Sequence, residues 1–224
     1  MFNKTEGALK VAKVARLYGP RDVRVEDESV PPVAPTQIKV RTILSAVSSG
    51  TEMAFWKGEH PRMRSDYKPA LLPKIEYPVT LGYEEVCEVV EVGEKVRLFK
   101  EGDMVLTSVG HREEAVLEEK EPPEASTVYP FGQVGPYKIP ENVDPEEACL
   151  GIFAATALNA IRRSRLSLGE NVIVFGQGAL GLLTTLFCKL AGAGTVTAVD
   201  LLDSRLKIAK KFGAEIVMNP SKED

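Results

Sequence analysis

Gly176-Gln177-Gly178-Ala179-Leu180-Gly181 is a G-x-G-x-x-G run, and Asp200 follows its last glycine by 19 residues. That spacing suits recognition of a dinucleotide by main-chain atoms. The first glycine admits a tight turn, the second lets the backbone approach a pyrophosphate, and the third lets a helix lie close to a strand. A helix N-terminus there directs unpaired N–H groups at phosphate oxygens. A carboxylate at Asp200, closing the second strand, can accept hydrogen bonds from ribose hydroxyls. The plainer alternative is a glycine turn that only packs a helix, with Asp200 capping the next turn. A negative charge at this point repels a 2′-phosphate, and Arg205 lies on a helix face with Leu206 and Ala209, so NAD is expected over NADP. The expected cofactor contacts are Gly176, Gln177, Gly178, Ala179, Leu180, Gly181, Asp200 and Arg205. A strand, glycine turn and helix can also hold S-adenosylmethionine, but the third glycine and the β-rich region upstream argue against a methyltransferase.

The elements that must position these residues can be traced in the flanking pattern. Residues 171–175 form a short apolar strand, the turn opens a helix through Leu190, and 195–200 form a second strand. An amphipathic helix over 204–212 ends at Gly213, and 214–218 make a third strand. Strand and helix in alternation imply a parallel sheet. Upstream, Asp144 with Pro145, Glu146 and Glu147 marks a helix start. The nearly all-apolar 148–163 predicts a helix buried on most sides. Before residue 144 the β-branched runs at 11–17, 22–28, 37–48, 84–93 and 103–108 are separated by prolines, which predicts a mostly antiparallel β domain with long loops. The acidic stretch 111–129 is expected to be a solvated excursion. His60 and His111 fall in polar loops with no evident partner and are expected to be ordinary surface residues.

Composition narrows the partners. The 224 residues carry 28 basic and 32 acidic side chains, a net charge of −4, with no basic cluster of the kind nucleic acid requires. Cys87, Cys149 and Cys188 are far apart in apolar contexts without C-x-x-C spacing, which implies reduced thiols and a cytoplasmic location. The N-terminus lacks the apolar core of a signal peptide. The uncharged run 171–188 approaches membrane-spanning length. Its three glycines fit a strand and buried helix instead, so no membrane association is expected.

Several further stretches, in order along the chain, carry a wider resemblance: residues 47–52 (VSSGTE), 78–85 (PVTLGYEE), 89–93 (VVEVG), 102–105 (GDMV), Ile139-Pro140, 145–148 (PEEA) and 169–213. With them the sequence resembles the medium-chain dehydrogenase/reductase superfamily of the zinc alcohol dehydrogenase type. The resemblance implies an N-terminal chaperonin-10 (GroES)-like β domain over 1–144, then the first half of a Rossmann parallel α/β domain over 145–224. It implies an oxidoreductase transferring hydride between NAD(H) and a small alcohol or carbonyl substrate, and it admits a homo-oligomer. Thr51 matches the hydroxyl that bonds the substrate oxygen in alcohol-oxidising relatives. Glu52 and Glu84 match acids that stand behind the metal ligands, and Thr156 matches a residue near the nicotinamide. Thr51 and Tyr83 are the candidate catalytic pair, stabilising a substrate oxygen and donating a proton to it. Each alternatively lines a pocket wall, and Thr156 alternatively bonds a helix carbonyl.

The departures from the family pattern concern metal. Zinc-dependent members place a Cys at Ser49, a His at Tyr83 and a Cys, Glu or Asp near Ile152. A hydroxyl, a phenol and an alkyl group do not make a tetrahedral zinc site, and the four-cysteine structural lobe is absent, so zinc is not expected. The Ser-Gly-Thr-Glu segment is also similar to the zinc-less bacteriochlorophyllide-dehydrogenase-like branch. Family members continue through a second half of the dinucleotide domain, so a chain stopping at Asp224 is expected to be truncated, with an adenosine half-site and little hydride transfer of its own. The competing readings are a quinone- or enoyl-reductase-like enzyme and a non-catalytic nucleotide-binding protein.

Overall fold

A computed structural model describes residues 10–68, 74–119 and 135–222. The chain divides into two units, Met1–Cys149 and Leu150–Asp224. Among the described residues no helix is long and apolar enough to cross a membrane.

The first unit is built on antiparallel strands. Strands β1 (Val11–Gly19), β2 (Asp22–Ser29), β3 (Gln37–Ser45), β4 (Val79–Thr80), β5 (Glu85–Val92), β6 (Met104–Thr107), β7 (Glu114–Glu118) and β8 (Tyr137–Lys138) form two sheets. One has the order β2-β1-β4, the other β7-β3-β5-β6-β8. Alternation explains β3. Ile38 and Val40 turn inward and are fully buried, while Lys39 and Arg41 pair outward with Glu91 and Glu88. Ile38, Val40, Cys87, Val89, Val105 and Leu117 make the principal core, each large apolar side chain contributing on the order of 1.5–3 kcal/mol on burial. A short helix, α1 (Thr51–Lys57), follows β3 and closes at Gly58 in the left-handed region.

The acidic stretch needs correcting. Residues 120–129 lie outside the described residues, but within 111–119 β7 pairs with β3 from Gln37↔Glu118 to Arg41↔Glu114. Glu118 faces solvent, Glu114 is largely covered and pairs with Lys10, and Leu117 enters the core, so charge concealed a half-buried strand.

After α2 (Pro145–Ala148), capped by Asp144 accepting from the Glu146 amide at 2.8 Å, the chain does not run on as one helix. It breaks at Cys149, whose thiol donates to the Glu84 carbonyl at 3.0 Å and joins Val86 and Ala148 in a small core. The second unit then begins with α3 (Gly151–Ser164), on which only Ala157 is buried, so the expectation of a helix enclosed on most sides does not hold. Thr156, Asn159, Arg162 and Arg163 give it an exposed polar face, and α3 packs against the next helix.

The rest of the second unit follows the expected alternation: β9 (Val172–Phe175), α4 (Ala179–Leu190), β10 (Val196–Val199), α5 (Asp203–Lys211) and β11 (Ile216–Met218). Its three strands are parallel in the order β11-β10-β9. Val174, Val196 and Ala198 point to the face covered by α4 and α5, where Cys188, Leu206 and Ala209 meet them. On the opposite face Ile173, Phe175, Ile216 and Met218 are exposed. The architecture is a GroES-like β domain followed by the first half of a Rossmann-type parallel sheet.

Candidate functional site

The glycine turn sits between β9 and α4, and its geometry accounts for two of its glycines. Gly176 has φ +81°, in the left-handed region that disfavours side chains. A Cβ on Gly181 would lie 1.8 Å from the Gly176 carbonyl oxygen, so the helix approaches the turn closer than any side chain allows. A Cβ on Gly178 would project into open space. Ala179 and Leu180 begin α4, where first-turn N–H groups have no helical carbonyl to bond.

Gln177 points inward. Its side chain is fully buried, donating from Nε2 to the Val174 carbonyl at 3.0 Å and accepting from the Thr185 hydroxyl at 3.1 Å. Its amide donates to Asp200 Oδ2 at 2.6 Å, and Asp200 Oδ1 accepts from the Leu202 amide at 2.8 Å. Asp200 therefore ties the glycine turn to the segment entering α5. Burial pushes its carboxyl up, but the two amides and Arg205 outweigh this and hold it below the usual carboxylate range. The remaining lone pairs are what it can offer a ribose.

Arg205 departs from its helix neighbours. Leu206 and Ala209 are buried, whereas the Arg205 guanidinium lies 3.6 Å from Asp200 Oδ2. Both line an open pocket of about 500 Å³ with Phe175, Gly176, Val199 and Pro220 among its walls. Thr156 bonds inside its own helix, donating to the Ile152 carbonyl at 2.9 Å.

In the first unit Thr51 and Tyr83 come together although 32 positions separate them. The Ser48 and Thr51 side chains are close enough to the Tyr83 phenol to act on its ionisation. Burial raises the Tyr83 phenol, the neighbouring charges of Glu84 and Glu52 add to this, and the two hydroxyls partly offset it. Thr51 is fixed by the start of α1: its amide donates to Ser48 Oγ at 3.3 Å, and Glu52 reaches back to accept the Ser48 amide at 2.8 Å. This reciprocal arrangement works like a capping box, with the acid one residue later than usual.

Neither histidine is an ordinary surface residue. His60 stacks on Phe55 with ring centroids 3.8 Å apart and accepts from the Arg62 amide. His111 lies between two buried acids. Its Nε2 is 2.6 Å from Glu52 Oε2, its Nδ1 is 2.5 Å from Ser45 Oγ, and that hydroxyl donates to Glu85 Oε1 at 3.2 Å. Glu85 is fully buried and also accepts from the Gly110 amide. The approach depends on Gly82, where a Cβ would lie 2.4 Å from Glu85 Oε1 and 2.8 Å from the backbone nitrogen of His111. Partners 59 residues apart leave no local sequence signal.

For a metal, the donor chemistry is poor. Ser49 is exposed, Tyr83 offers a phenol whose ionisation burial disfavours, and Ile152 has no donor atom. Among the described residues no three His, Cys, Asp or Glu side chains converge as a metal would require. The residues present do not fit zinc.

Two family profiles match the chain. The alcohol dehydrogenase GroES-like domain matches residues 34–139, and the zinc-binding dehydrogenase profile matches residues 179–224. Among curated proteins, (R,R)-butanediol dehydrogenase of Bacillus subtilis (strain 168) is 32% identical over 95% of this chain and 64% of its own length. Sorbitol dehydrogenase of Homo sapiens is 30% identical over 92% of this chain and 60% of its own length. Among solved structures, the 2R,3R-butanediol dehydrogenase from Bacillus subtilis superposes with a TM-score of 0.75 at 29% identity, covering 95% of this chain and 64% of that one. The chain thus spans 60–64% of the length of these curated relatives.

Proposed function

The chain belongs to the zinc-type alcohol dehydrogenase branch of the medium-chain dehydrogenase/reductase superfamily, and from that we propose an NAD-linked oxidoreductase that interconverts an alcohol and its carbonyl without zinc. The observation that carries the reading is the turn at Gly176–Gly181, closed so tightly at Gly181 that only glycine fits, with the Asp200 carboxylate bonded across it. NAD supplies or accepts a hydride when bound. Gly176, Gly178, Ala179, Leu180 and Gly181 would hold its diphosphate by main-chain contact, and Asp200 its adenosine ribose. Gln177 would act from behind by locking the turn, and Thr156 would stand near the nicotinamide. Arg205, paired with Asp200, would flank the ribose, and the Asp200 carboxylate, bonded to two amides, would stand against a 2′-phosphate, which favours NAD over NADP. We take residues 1–144 as the substrate-binding domain and 145–224 as the cofactor-binding part.

In the reductive direction the substrate oxygen must gain a proton while its carbon gains the hydride. Tyr83, a phenol that carries its proton at ordinary pH, is the proton donor in this reading, and the Thr51 hydroxyl steadies the same oxygen. The lack of metal donors at Ser49, Tyr83 and Ile152 equally favours a quinone- or enoyl-reducing enzyme, which a substrate panel separates. The buried free thiols of Cys87, Cys149 and Cys188 fit a reducing compartment such as the cytoplasm.

Calorimetric titration with NADH and NADPH tests the cofactor. NADH is expected to bind at least about tenfold more tightly, a difference near 1.4 kcal/mol. Asp200→Ser is expected to narrow that gap. Tighter binding of NADPH by the parent chain would sink the assignment.

A further inference from the structure

The imidazole of His111 is held between two buried carboxylates from different elements, and one of them braces the turn that carries Thr51. Glu52 has a side-chain exposure of 7% and divides its oxygens: Oε1 accepts the Ser48 amide at 2.8 Å, and Oε2 meets His111 Nε2 at 2.6 Å. Ser48 in turn takes the Thr51 amide on its hydroxyl, and both side chains act on the ionisation of the Tyr83 phenol. On the far side of the ring, Nδ1 reaches Ser45 from β3, and beyond it Glu85 of β5, 3.9 Å from Nδ1. The charged and titratable groups around this unit are thus Glu52 of α1, Glu85 of β5, and Glu84 and Tyr83 on the approach to β5. The neighbouring Arg112 is engaged with Glu28. A buried acid–imidazole–acid array is a costly way to hold a turn, since apolar side chains of similar volume serve stability as well or better. Its charge is what apolar side chains would not reproduce.

We propose that His111 is a positioning residue for Thr51 and Tyr83, acting through Glu52. As an imidazolium it balances the Glu52 carboxylate and fixes the Ser48–Thr51 turn, so that both hydroxyls address one substrate oxygen. The proposal rests on the reading that Thr51 and Tyr83 bind that oxygen. When His111 loses its proton, Glu52 keeps an uncompensated charge beside Tyr83, which makes the phenol harder to ionise and loosens the turn. Burial favours the neutral ring, but the Glu52 hydrogen bond and the charges of Glu52 and Glu85 outweigh it and raise the imidazole above its ordinary value. The switch therefore belongs to the alkaline side of pH 6.5.

The test uses the intact chain with ¹³C-labelled tyrosine and ¹⁵N-labelled histidine, and needs no substrate. The chain has two histidines and six tyrosines, so His111→Gln and Tyr83→Phe assign the two signals by loss. In the parent, the Tyr83 ring shift is expected to show a step at the His111 titration midpoint. In Glu52→Gln the His111 midpoint should fall by at least about one unit, a tenfold change in proton affinity. In His111→Gln, which keeps a hydrogen-bonding side chain without charge, the Tyr83 step seen in the parent at the His111 midpoint should disappear. A purely structural histidine would lower stability and leave Tyr83 unmoved. A parent spectrum with no Tyr83 step at the His111 midpoint overturns the proposal even if Glu52→Gln and His111→Gln fail to fold, since loss of the other signal in His60→Gln also assigns His111. Coupled titrations in a chain that binds neither NADH nor NADPH would leave the positioning intact and sink only the dehydrogenase reading.

Discussion

Around Gly176 the atoms offered to a ligand are main-chain N–H groups, held by a turn that excludes side chains. Around Thr51 they are hydroxyls, held by other side chains that carry charge. In the α/β unit the constraint is steric: a single carbonyl, that of Gly176, sits where the Cβ of residue 181 would be. In the β unit it is electrostatic: Glu52, His111 and Glu85 hold one another through a network of short contacts. A steric constraint is insensitive to pH and admits almost no substitution. An electrostatic one admits isosteres and responds to protons. The first suits a ligand always met in one form, the second a place where protons change hands.

The sharpest way to break this contrast is Gly181→Ala. The added carbon meets backbone, which cannot rotate away, so NADH affinity should fall by more than about 100-fold, near 2.7 kcal/mol. The His111 titration in the other unit should stay where it was. Calorimetry and histidine spectra on the same sample check both halves, and NADH binding within threefold of the parent would show a tolerant turn.

A smaller effect is expected from Glu85→Gln. Burial raises the Glu85 carboxyl from 4.5 to about 7, against the opposing pull of His111 and of its two hydrogen-bond donors. The folded state therefore holds this proton more tightly than the unfolded chain, so stability declines as pH rises from about 5 through about 7 and levels off above. His111, also raised, adds stability that is fully present below 6.5 and lost as pH climbs through its own folded midpoint. The thermal midpoint of the parent should drop by several degrees between pH 6 and pH 8.5, on the scale of about 4–8 °C per kcal/mol for a small domain. Glu85→Gln should flatten most of that slope. An unchanged slope would mean that Glu85 does not titrate in this range.

The smallest effect concerns metal. Elemental analysis of protein purified without added zinc is expected to find well under one equivalent, and prolonged dialysis against a chelator should leave the thermal midpoint unmoved. A full equivalent retained through dialysis would show that donors other than Ser49, Tyr83 and Ile152 converge.

What the sequence disclosed follows the same division. The glycine turn, the strands beside it and Asp200 were legible because their constraints lie within about thirty residues and follow fixed spacings. Strand β3 was legible through its alternation. Strand β7 was not, because Glu114 and Glu118 dominate its composition while only Leu117 is deeply buried. The environment of His111 was hidden for another reason. Ser45, Glu52, Glu85 and His111 are brought together by strand pairing, and nothing in the local pattern around any of them announces the other three. The helix read across 148–163 failed on composition: many apolar residues do not ensure burial, and the Cys149 thiol draws the chain aside to Glu84.

Asp200 has a consequence for how such a protein can change over generations. Its carboxylate is committed twice to the main chain, at Gln177 and at Leu202, before any ribose arrives. A substitution that altered the choice of cofactor would also undo two structural bonds, so the trait and the foldedness of the unit are inherited together. Drift toward a different nucleotide would more readily begin at an exposed neighbour such as Leu201, which is 66% exposed.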